Sequence, residues 1–266
     1  MKLSLIVLST LLIGHAAIRS AEITDVPIPR EGLALWLTAD AAVVEKGEVV
    51  VIKDGSGKGN DATREKDPKL AVGNPTIVKH EVAGRPVIRF DGRFSGYEFS
   101  SIKNARTVFL VVSKNPAAFK KFNERFVLGG KEKTSVDYHV GCHWTDTLIE
   151  LGKFAKGKAW FNGFPIDPTI SEFAPKLAVI SYISAGDTVA EQLARDREFL
   201  DRSWYGDIGE LIIYTLPLTD GDRSQIENYL LKKYGIIPFQ PVVVSRDSVL
   251  PGHTKPPTNN VAEKGQ

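Results

Sequence analysis

Cysteine is nearly missing from this chain: Cys142 stands alone among 266 residues. A single cysteine excludes an intrachain disulfide and a thiolate zinc site. Free cysteine is most often a small buried filler, and a reactive thiol partnered by His139 or His143 is the alternative. An excess of charge of one sign is missing as well. There are 34 basic and 32 acidic residues, and two of the basic ones, Lys2 and Arg19, lie in an apolar leader without an acid. The remaining chain is balanced, so it offers no electrostatic case for nucleic acid or an anionic membrane. Internal repeats and long low-complexity linkers are also absent, which favours one domain around one large core. No His-Glu-x-x-His, Gly-x-Ser-x-Gly or phosphate-cradling glycine motif appears.

Long apolar runs occur only at the start. Residues 3–13 are apolar apart from Ser4, Ser9 and Thr10, and Lys2 precedes them. Gly14-His15-Ala16 offers a small-x-small cleavage site, with Ser20-Ala21 as a second, and the run is short for a membrane span. Residues 1–21 are therefore expected to be a signal peptide. The mature protein is expected to be secreted, periplasmic or at the cell surface, with no membrane insertion. Residues 240–266 include Pro251, Gly252, Pro256, Pro257, Asn259 and Asn260, a composition expected to form a disordered tail. Residues 22–239 remain as the folded domain.

Within that domain the periodicity is that of short strands. Leu33, Leu35 and Leu37 alternate with Ala34, Trp36 and Thr38. Residues 48–52, 86–90, 107–112, 125–128, 176–183 and 207–214 are further strand candidates, and 107–112 is apolar on both faces. Asn162-Gly163 signals a hairpin turn. Only the region after Thr188 and the segment from Asp220 read as helical. In the latter, Thr219 is an N-cap, Ile226, Tyr229, Leu230 and Tyr234 recur at helical spacing, and Gly235 is a stop signal. Many short strands with few helices predict an all-β, two-sheet antiparallel sandwich with a short C-terminal helix packed outside.

Five motifs, in order, carry a family resemblance. They are GLALWLTAD at 32–40, KDGSGKGNDAT at 53–63, GRPVIRFDG at 84–92, WFNG at 160–163 and YGDIGE at 205–210. Together they resemble the bacterial laminin-G-like, concanavalin A-like lectin and glucanase domains. The resemblance implies a jelly roll of two antiparallel sheets, one convex and one concave, and names no reaction. The glucanases of that fold carry Glu-x-Asp-x-x-Glu on one strand. Here Asp207 and Glu210 keep part of the pattern, but Tyr205 stands where the nucleophile belongs, so both acids are expected to pair with basic neighbours or backbone donors.

The remaining chemistry falls into two groups. Asp54 and Asp61 bracket a Gly- and Asn-rich loop that suits either a structural turn or a calcium ion, although its spacing is not that of an EF-hand. Tyr138, His139, Cys142, His143, Trp144, Asp146 and Glu150 form the densest set of reactive and sugar-contacting side chains. His139, His143, Trp144 and Tyr97 are the candidate ligand-binding residues. Trp160 and Trp204 are further aromatics, suited to a sugar platform or to the core. The function expected is a non-catalytic module for extracellular carbohydrate or a glycosylated surface partner. The alternative is a polysaccharide hydrolase or lyase using the region from His139 to Glu150.

Overall fold

The computed structural model describes residues 28–65, 71–80, 83–119, 125–131, 140–142, 147–148, 152–199 and 202–245. Its strands are β1 (Leu33–Glu45), β2 (Glu48–Asp54), β3 (Ala62–Arg64), β4 (Thr76–Lys79), β5 (Pro86–Asp91) and β6 (Tyr97–Lys114). They continue as β7 (Arg125–Gly129), β8 (Val140–Cys142), β9 (Lys158–Phe161), β10 (Phe164–Ile166), β11 (Ala178–Leu193) and β12 (Tyr205–Tyr214). Two α-helices are described, the single turn α1 (Gly152–Ala155) and the longer α2 (Asp220–Lys233), besides a 3-10 turn at Pro116–Phe119. The protein is mostly β.

Ten of the named strands follow the antiparallel order β10-β9-β11-β6-β3-β2-β1-β12-β5-β4, β12 also pairs with β6, and β7 joins the sheet at β11 with β8 beside it. The path β6-β3-β2-β1-β12-β6 is thus a closed, barrel-like ring. Closure depends on strands long enough to serve two places. The first part of β1 pairs with β12, while its end at Ala42–Glu45 pairs with β2. β6 behaves similarly: its later half lies between β11 and β12, and its start pairs with β3. Irregular register between Ile183 and Thr188 marks where β11 bends with it.

Alternation along these strands divides the apolar residues. Leu35, Leu37, Val108, Leu110, Val112, Ile180, Leu211 and Ile213 face the enclosed core. Phe109, Val111, Val179, Ile212 and Tyr214 face the other way and are covered by Ile226, Leu230 and Tyr234 of α2. Thr219 caps that helix as its sequence signalled, accepting from the Asp222 N–H at 3.2 Å. Two stretches depart from expectation. Residues 188–193 are strand, because pairing with the start of β6 and with β7 overrides their helical composition. Residues 242–244 bond into the fold: Val242 O accepts from Glu172 N–H and Val244 N–H donates to Ile170 O, while Phe239 packs on Phe161.

Charge pins α2 to the sheet at both ends. Near its start, Arg223 stacks on Trp160 at 3.9 Å and pairs with Glu227, which also accepts from the Ser181 hydroxyl. At its end, Lys233 Nζ lies 2.7 Å from Glu210, which also accepts from Trp36 Nε1 at 2.6 Å and the Tyr234 hydroxyl at 3.2 Å. Burial works against the Lys233 ammonium, but Glu210 outweighs it and the lysine pKa is raised. Removing one partner of such a buried pair strands the other charge. Lys233→Met is expected to destabilise the fold by about 3 kcal/mol in urea denaturation, and adding Glu210→Gln to recover part of that loss.

Candidate functional site

The Asp54–Asp61 loop is organised by hydrogen bonds. Asp54 Oδ1 accepts from the backbone N–H of Trp36 at 3.0 Å and of Ser56 at 2.9 Å; Oδ2 accepts from the Ser56 hydroxyl at 2.6 Å and Asn60 N–H at 3.0 Å. Asp61 accepts from Asp54 N–H at 2.9 Å and from Lys53 Nζ at 2.6 Å. An ammonium and five other donors therefore engage these carboxylate oxygens, an arrangement that holds the loop as a structural turn. Among the described residues no group of three or more His, Cys, Asp or Glu converges as a metal set. Gly57 and Gly59 have φ of +83° and +73°, so the loop turns where side chains are disfavoured.

Of the residues nominated as ligand-binding, Tyr97 is the one among the described residues. Tyr97 is wholly buried, packed edge-on to Phe90 with its hydroxyl donating to Val49 O at 2.8 Å. With no exposed face it cannot stack on a sugar, so it is a core residue. Trp204 is also fully buried, against Phe173, and Trp160 lies beneath Arg223. His139, His143 and Trp144 lie outside the described residues, as does the side chain of Cys142. Asp207 accepts a two-pronged pair of hydrogen bonds from Arg89, both 2.8 Å. With Glu210 held by Lys233, both acids of the partial glucanase pattern have the basic partners expected of them.

A groove that no sequence motif announces lies on the outer side of β2 and β3, with a volume of about 790 Å³. Glu45, Glu48 and Val50 come from the β1–β2 hairpin, Thr63, Arg64 and Glu65 from β3 and its end. Residues 71–74 form one wall and Arg93, in the turn between β5 and β6, another. A register irregularity at Val50, between the pairs Val44–Val49 and Val43–Val51, lets Val49 and Ile52 both join Ala62 in the core and leaves Val50 at the groove. Arg64 fixes the wall by donating to Glu48 and to the carbonyls of Ala71 and Gly73. Glu65 is held by Arg195 at 3.2 Å, itself buried and tied to the Arg197 carbonyl. The groove thus combines carboxylates, guanidinium groups and the Asn74 amide with the apolar Val50 and Val72. It can exchange hydrogen bonds of both polarities with a hydroxylated ligand.

No family model and no curated protein matches the sequence. Among solved structures the chain is similar to domain 4 of AbnA, a GH43 extracellular arabinanase from Geobacillus stearothermophilus, in complex with arabinotriose. That likeness has a TM-score of 0.41 and 15% identity over 74% of this chain and 97% of that one. The chain is also similar to Trypanosoma rangeli sialidase with the inhibitor DANA, at TM-score 0.41 and 11% identity, over 75% of this chain and 33% of that one. Likenesses of this degree specify no ligand for this chain.

Two measurements test the loop. Gly57→Val and Gly59→Val are each expected to cost about 1–3 kcal/mol of stability in denaturant titrations. Burial opposes ionisation of Asp54, but the Ser56 hydroxyl and the N–H groups of Ser56, Trp36 and Asn60 outweigh it and hold its pKa below the ordinary 3.8. Lys53 and the Asp54 N–H lower Asp61 in the same way. A lowered carboxylate stabilises fully above its unfolded pKa, and the contribution is lost as pH falls through the folded one. The gap in melting temperature between the wild type and Asp54→Asn should therefore narrow as pH drops below about 3.8.

Proposed function

We propose that this chain is an exported, non-catalytic carbohydrate-binding module on a jelly-roll sandwich of the laminin-G-like, concanavalin A-like type. The observation that carries the reading is the groove beside β2 and β3, whose volume falls within the range of about 300–1,000 Å³ usual for ligand sites. Its polar groups suit sugar hydroxyls, and its valines suit the C–H face of a sugar ring. The apolar core enclosed by the strands and the antiparallel pairing throughout the named strands support the jelly roll. The leader at residues 1–21 supports export, which would put the groove among extracellular glycans or glycosylated surface partners. Glycoside hydrolysis needs two carboxyl groups flanking one bond. The pairing of Asp207 with Arg89 and of Glu210 with Lys233 supports binding over cleavage on β12.

His139, His143 and Trp144 remain in the proposal on their sequence alone, as a second set of ligand contacts. Affinity electrophoresis through gels containing single polysaccharides tests the whole reading. The mature protein should be retarded by at least one polysaccharide and release no reducing ends or unsaturated products from it. Asn74→Ala is expected to reduce retardation if the groove binds. Trp144→Ala should lose about 1–3 kcal/mol of binding, with folding intact, if that segment contributes. Product release abolished by His139→Ala or His143→Ala would establish the hydrolase or lyase alternative instead.

A further inference from the structure

We propose that the groove selects uncharged oligosaccharides, with Glu45 and Arg93 as a spatially separated acceptor and donor; this rests on the groove being a glycan site. Five charged side chains line it, and three of them are already neutralised. Glu48 is paired with Arg64, and Glu65 with the buried Arg195, whose Nη1 also lies 3.2 Å from Glu98. Glu45 and Arg93 are exposed and take part in no ion pair among the described residues. They sit on different elements, the β1–β2 hairpin and the turn between β5 and β6, and do not meet each other.

This distribution leaves the groove without a field of either sign. An acidic sugar would bring its carboxylate towards Glu45, Glu48 and Glu65 to reach one unpaired guanidinium. A cationic sugar would gain one exposed carboxylate and meet Arg64 and Arg93. Exposed single charges of this kind are screened and contribute little as ion pairs. As hydrogen-bonding groups they lose much less. Glu45 can accept from one hydroxyl, Arg93 can donate to another, and Asn74 can do both. Between them Val50, Val51 and Val72 offer a surface that a neutral pyranose or furanose face can cover.

Isothermal titration of the full chain distinguishes the charge classes. The probes are xylo-, gluco- and manno-oligosaccharides, oligogalacturonate and chitosan oligomers, each between about 20 and about 500 mM NaCl. A neutral oligosaccharide should bind with a Kd that changes less than about twofold over that range. Glu45→Ala and Arg93→Ala should each weaken it about tenfold, with the melting temperature unchanged. Preferential binding of oligogalacturonate or chitosan, falling steeply with salt, would overturn the neutral class and leave the groove a glycan site. If no saccharide binds, or neutral binding is indifferent to both substitutions, the glycan reading of the groove itself falls.

Discussion

The ladder between β6 and β11 is the constraint on which the rest of the structure depends, because β6 belongs to both halves of the ring and β11 pairs with it from Tyr97 to Val112. Their central residues are apolar on both faces. Hydrophobic burial alone would therefore tolerate a slip of one residue, exchanging Val108, Leu110 and Val112 with Phe109 and Val111. Polar side chains remove the ambiguity. Thr188 donates to Ala105 O at 2.8 Å, Thr107 to Leu216 O at 2.7 Å, and Ser181 to Glu227 on α2. Each would lose a buried partner on slipping, at a cost of about 1–3 kcal/mol. A few hydroxyls thus set the register that many hydrocarbon contacts leave open.

The same ladder separates the two sides of the molecule chemically. On the helix side, the titratable groups Glu210, Lys233, Arg223 and Glu227 are buried against one another. They hold α2 in place and offer nothing to solvent. On the side of β2 and β3 no helix among the described residues covers the strands, and the charged Glu45 and Arg93 there are exposed. A strand face covered by a clamped helix is committed to stability; an uncovered one can be committed to recognition.

The strands were legible where alternation is strict, as in Leu33, Leu35 and Leu37, and where turn chemistry is specific. Asn162 and Gly163 both take positive φ, as the hairpin signal requires. Helix α2 was legible from its cap and spacing. Residues 188–193 were not, since their pairing with β6 and β7 is a long-range event that local composition does not encode. Tyr97 misled for a related reason: what buries it is its packing on Phe90 and its hydroxyl's bond to Val49 O, both contacts with residues on other strands. The groove was illegible altogether. Its residues are drawn from 45 to 93 without a repeating spacing, and Glu65 is set by Arg195, 130 positions away.

The groove's charges also differ in how freely they can change over evolutionary time. Glu48, Arg64, Glu65 and Arg195 are interdependent, so a substitution at any of them disturbs a partner and the wall or loop it holds. Glu45 and Arg93 have no such dependants. Either rim position can be exchanged alone with little loss of stability, so the groove's charge can be altered on an unchanged scaffold.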